Sequence, residues 1–159
     1  MNTILKAGVV LGLLVEVWTL VMGFTGWYRH PVLLYLFFLV IPIQIAVLIW
    51  ALRKTAAEGR RYWGQVSAGV LISAIAGIII VVGSLLFTTV FFPDYFQELS
   101  GMQEQMMHQA GKSEAEIRAA LNAAAKTNTP MAQAMSGLIG TLVTGLVASL
   151  AISGFSRAK

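Results

Sequence analysis

Glu16 has the most chemical reach of any residue in this chain, because it is the one charged side chain at the centre of a long apolar run. Ionisable groups at membrane depth face a bundle interior or a water-filled path. They act there as proton or cation sites, or as polar glue between helices. Counted from the ends of the apolar runs, Gln44 and Thr144 fall at a similar depth, and Trp18 lies half a turn from the acid. The three polar residues therefore predict one cluster at the midplane. Two readings stay open for Glu16: a proton or cation site, or a hydrogen-bonded carboxyl that joins the first helix to its neighbours. An acid without a charged partner makes a sparse relay, which favours the second.

A second group is Met102, Met106, Met107 and His108, with Met131 and Met135 further on. Thioether and imidazole ligands suit Cu(I). The spacing is loose, however, and adjacent Met106 and Met107 point in different directions on a helix. Methionine is also adaptable apolar filler. Met102, Met106 and His108 are thus weak metal candidates, and no cofactor is expected. His30 beside Pro31 reads as a polar tip at an interface. There is no phosphate-binding glycine loop, no metal-binding His/Glu helix and no nucleophile elbow, so no enzyme is expected.

The elements that must position these residues follow from composition. Of 159 residues, 57% are hydrophobic and 11% charged, so lipid is the solvent this chain suits. Cysteine is absent, which excludes disulfides, thiolate metal sites and a cysteine nucleophile. Four runs, 7–24, 32–52, 66–92 and 135–155, are apolar and long enough to cross a hydrocarbon core. The third, with 27 residues, is roughly 40 Å long and must tilt or project. The first carries Glu16 and lacks a small-residue cleavage pattern, so it reads as a retained helix and not a signal peptide.

Lys6, Arg53, Lys54, Arg60, Arg61, Arg157 and Lys159 fall on one side of these spans, and Arg29, Lys112, Arg118 and Lys126 on the other. The richer side is cytoplasmic by the positive-inside rule, which puts both termini in the cytoplasm. The net charge of +4 is thereby topological, and no nucleic-acid partner is expected. Trp27 and Tyr28 at one surface, and Trp50, Tyr62 and Trp63 at the other, match interfacial aromatic belts.

Between the third and fourth runs, residues 93–129 have their own pattern. Phe96, Leu99, Met102, Met106 and Ala110 recur at helical spacing and Gly111 ends the helix. Ser113 with Glu116 forms a capping box for a second helix bearing Ile117, Ala120, Leu121 and Ala124, and Thr129-Pro130 starts the last span. The fold class is all-α: a single-domain, integral membrane four-helix bundle with an amphipathic helical hairpin between spans three and four. Small residues let helix backbones approach in lipid. Gly8 and Gly12 in span one, Gly69, Ser73 and Gly77 in span three, and Thr141, Gly145, Ser149 and Ser153 in span four are the packing ridges, with spans three and four the tight pair. Span two is bulky, lipid-facing or gate-like, and Pro42 near its centre predicts a kink.

Several local motifs follow one another along the chain: the basic 53–61 connection, Tyr62-Trp63-Gly64, Phe91-Phe92-Pro93-Asp94-Tyr95, and Gly111-Lys112-Ser113-Glu114-Ala115-Glu116-Ile117. In that order and spacing the chain resembles the bacterial membrane family catalogued as domain of unknown function 4199. The resemblance implies a four-span protein of the bacterial cytoplasmic (inner) membrane, and it implies no activity, cofactor or catalytic residue. The expected role is that of a non-catalytic accessory or scaffold subunit. Its partners are then the lipid bilayer and a larger membrane complex or a second copy. The alternative is a proton-coupled small-molecule exporter acting as a homodimer through Glu16. A third reading is a metal or lipid binder at the hairpin.

Overall fold

The computed structural model describes residues 2–155; Arg157 and Lys159, counted above among the cytoplasmic charges, lie outside the described residues. Six α-helices follow one another among the described residues, with no strand: α1 Thr3–Phe24, α2 Val40–Ala57, α3 Tyr62–Leu86, α4 Tyr95–Gln109, α5 Glu114–Ala125 and α6 Pro130–Phe155. Two 3-10 segments, Trp27–Arg29 and Leu33–Leu39, connect α1 to α2, and a π-helical turn, Phe87–Phe91, extends α3. Four helical stretches are long and apolar enough to cross a membrane: Thr3–Phe24, Leu33–Ala57, Tyr62–Phe91 and Pro130–Phe155. Each reaches past its apolar run, because Lys, Gln and Thr at the ends still satisfy their backbone bonds within the helix.

Helix ends carry their own local causes. The Asn2 side chain accepts from the Ile4 N–H at 3.2 Å to start α1. Ser113 and Glu116 form a reciprocal capping box on α5. The Thr129 hydroxyl accepts from the Ala132 N–H at 3.2 Å ahead of Pro130. Gly59 and Gly111 adopt φ of +86° and +73°, turning the chain after α2 and after α4 where a side chain would be strained.

Pro42 produces no mid-helix kink. It is the third residue of α2, where a missing N–H costs little, and the break is a change of helix type, from the seven-residue 3-10 run to α. The Trp18 indole N–H donates to the Leu36 carbonyl in that 3-10 run at 2.9 Å, tying it to α1.

α3 is the hub, packing most extensively on α6 and then on α1. Its two faces use different registers. Towards α1, which runs parallel to it, Ile75 sits over Gly8 and Ile79 over Gly12 with no room for a Cβ on either glycine. Towards antiparallel α6, Gly69 receives Ser149, and Gly145 in turn receives Ser73. Gly77 receives Leu138. Ala7, Leu11, Leu48, Ala51, Leu52, Ala68, Ile72 and Ala76 fill the core between α1, α2 and α3. Tyr35 and Phe38 of the 3-10 run point outward instead. Thr3 on α1 donates to Glu58 after α2 at 2.8 Å, closing the end of the bundle that carries the N-terminus.

Candidate functional site

The ridge Gly8, Gly12, Glu16 on α1 is spaced by four residues, and it meets Ile75, Ile79 and Gly83 on α3 in the same spacing. At the third pair the roles reverse. The glycine is now on α3, and the Glu16 carboxyl lies against Gly83 where any side chain would collide with it. Glu16 is half-buried, and no donor among the described residues reaches its carboxyl. It opens into a groove of about 390 Å³ lined by Leu20, Ile78, Ile79, Val82, Gly83, Leu86 and Phe91.

Gln44 lies elsewhere. Its amide N–H groups donate to the Thr141 carbonyl at 2.7 Å and to the Ser73 hydroxyl at 3.3 Å, bridging α2, α3 and α6. Ser73 and Gly83 are ten residues apart on one helix, so the Gln44 bridge and the Glu16 carboxyl sit about 15 Å apart along its axis. The structure does not bring Glu16, Gln44 and Thr144 together. Counting from the ends of the apolar runs takes every run to begin at one level, whereas α1 starts at Thr3, four residues before its run, and the 3-10 run adds a few ångströms of its own by rising faster per residue. Thr144 is half-buried on α6, the neighbour of Gly145 in the α3–α6 seam.

The methionine and histidine candidates also separate. Met102 and Met106, one turn apart on α4, line a groove with Arg29, Pro31, Glu98 and Gln105. The His108 imidazole instead faces Glu104 at 3.9 Å and Glu114 at 3.7 Å. With a guanidinium at the rim of the methionine groove and the imidazole turned to other partners, the three do not assemble a cation site.

What fastens α4 to the bundle is a feature the periodicity did not reveal. The Tyr28 hydroxyl donates to Glu98, and Arg29 grips the same carboxylate from Nε at 2.9 Å and from its terminal nitrogen at 2.8 Å. Tyr28 is buried, its ring 5.2 Å from that of Tyr95 and 6.0 Å from that of Phe92. Phe87 packs on both. The hydrogen bond from Tyr28, then those from Arg29, hold the Glu98 carboxyl below the ordinary carboxylate range against the opposing effect of desolvation. Burial pushes the Tyr95 hydroxyl up to about 12. A depressed carboxyl pKa means that the latch is complete above the ordinary value of 4.5 and is lost as the pH falls through the lower, docked-state value. A nitroxide at position 102 is therefore expected to gain mobility by EPR as the pH falls below the ordinary carboxyl value of 4.5, while Glu98→Gln shows the mobile line shape throughout. A pH-independent line shape in the wild type would remove the latch.

A family model described as protein of unknown function (DUF4199) matches residues 6–158, nearly the whole chain. The chain belongs to the DUF4199 family. No curated protein and no solved structure matches it. The family description brings no residue roles, so the sites of this DUF4199 protein rest on its own geometry. Two elements of that geometry lay beyond sequence reasoning. Gly83 gives no sign in an apolar helix that it faces an acid, although the four-residue spacing of Gly8 and Gly12 was visible. The partners Tyr28 and Glu98 are 70 residues apart, so no local pattern joins them.

Proposed function

We propose that this DUF4199 protein is a multi-pass protein of the bacterial inner membrane, with both termini cytoplasmic, that works as a non-catalytic accessory subunit of a larger membrane assembly. The observation that carries this reading is the use to which its polar side chains are put. Gln44, Trp18, Thr3, Tyr28, Arg29 and Glu98 all bind one segment of the chain to another. Such groups hold a shape and offer no reacting centre. The orientation is supported by Lys6, Arg53, Lys54, Arg60 and Arg61, which stand at the end of the bundle formed by the start of α1 and the α2–α3 turn. α4 and α5, latched at the opposite end, then form an outer-face amphipathic hairpin on which a partner docks.

Mild-detergent purification of the tagged protein from its native membrane, followed by native mass determination, tests this. Stoichiometric recovery with a larger membrane protein is the expected result. A lone monomer or homodimer would overturn it.

The unpaired Glu16 favours a second reading, the proton-coupled exporter acting as a homodimer. It requires that Glu16→Gln abolish substrate-driven proton movement in reconstituted vesicles, and unchanged coupling would end it.

A further inference from the structure

The groove beside Glu16 sets an ionisable group against an apolar wall. Its wall is apolar, and Ile78, Val82, Leu86 and Phe91 each keep between 46% and 65% of their surface exposed on the outside of the bundle. Its one ionisable group is a carboxyl that no donor among the described residues satisfies. A lone carboxylate against an apolar wall at membrane depth is costly unless a counter-charge or a hydrogen-bond donor joins it.

The local backbone builds this wall. Ile78, Val82 and Leu86 follow one another at the four-residue spacing of an α-helical ridge. Phe91 comes five residues after Leu86, which in continued α geometry would rotate it off that ridge. The π-helical turn Phe87–Phe91 has a wider turn, and Phe91 joins the same groove. On the opposite wall Leu20 stands one turn beyond Glu16. Gly83 removes the side chain that would cover the carboxyl.

We infer that this groove binds an organic ammonium ion carried on an apolar body. The ammonium group neutralises the carboxylate while the apolar body lies along the wall that Ile78, Val82, Leu86 and Phe91 form. The inference shares its residue with the exporter reading but requires binding only, so the two are separable by experiment.

The test uses the full chain in nanodiscs with isotope-labelled isoleucine methyl groups, empty nanodiscs correcting for partition into lipid. The probes are benzyltrimethylammonium and neopentylbenzene, its neutral isostere with carbon in place of nitrogen. The cation is expected to shift the Ile78 and Ile79 methyl signals saturably, and Glu16→Gln to weaken it at least about tenfold. Ile78→Trp, which narrows the groove without touching the carboxyl, is expected to weaken both probes. The neutral probe is expected to bind wild type and Glu16→Gln alike. Unmoved methyl signals, or equal cation affinity in wild type and Glu16→Gln, would overturn the site. Intact cation binding without proton coupling supports the site and defeats only the exporter. Proton coupling without methyl shifts does the reverse.

Discussion

Gly145→Leu is expected to destabilise the bundle by about 2–3 kcal/mol, read as a lowered unfolding midpoint in a fixed detergent. Gly145 is buried, and its missing Cβ is the space occupied by the Ser73 hydroxymethyl group, with the Gln44 amide nitrogen 3.3 Å from where that Cβ would stand. In lipid, helices gain little from burying apolar surface against each other, so close backbone approach and interhelical hydrogen bonds carry the α3–α6 contact. A leucine there forces the helices apart and breaks the Gln44 bridge in the same step. Gly140→Leu on the same helix is the control, because a Cβ at Gly140 meets nothing within 4 Å. That variant is expected to be near-neutral or slightly stabilising through helix propensity. Equal midpoints for the two variants would mean that the seam does not hold α6.

Tyr28→Ala is expected to cost about 3 kcal/mol and to expose the 93–129 segment to protease. The ring of Tyr28 is 1% exposed and stands between Phe92 and Tyr95, while its hydroxyl holds Glu98. It therefore joins the 3-10 turn after α1 to the end of α3 and the start of α4. Tyr28→Phe separates the two contributions, since it keeps the ring and removes one hydrogen bond to a charged acceptor. Its expected cost is about 1–2 kcal/mol, with proteolysis rising less than in Tyr28→Ala. Should Tyr28→Phe match Tyr28→Ala, the hydrogen bond and not the aromatic cluster would be the anchor.

The two variants act at opposite levels of the fold. Gly145 belongs to the apolar helices themselves, whereas Tyr28 decides whether the inserted helices stay on them. Loss of α4 docking need not unfold α1, α2, α3 and α6, because local segments open with free energies well below the global value. A protease-sensitive but thermally resistant Tyr28→Phe would fit that division.

Sequence by itself determined the four long apolar helices, since a backbone in hydrocarbon must satisfy its polar groups internally and the required run of apolar residues is directly readable. It also determined features that close within a few residues: the Ser113–Glu116 capping box, the Gly111 turn and the Thr129-Pro130 start of α6. The small-residue ridges were visible too, but not their partners. Only the tertiary structure decided that Gly12 lies under Ile79 while Gly83 lies under Glu16, because that depends on which helices are parallel neighbours and in what register. It alone placed Gln44 with Ser73 and Thr141, turned His108 away from Met102 and Met106, and joined Tyr28 and Arg29 to Glu98. Each of these pairings spans separate elements, and the relative rise and rotation of helices are set by side-chain packing summed over whole faces, which no local spacing encodes.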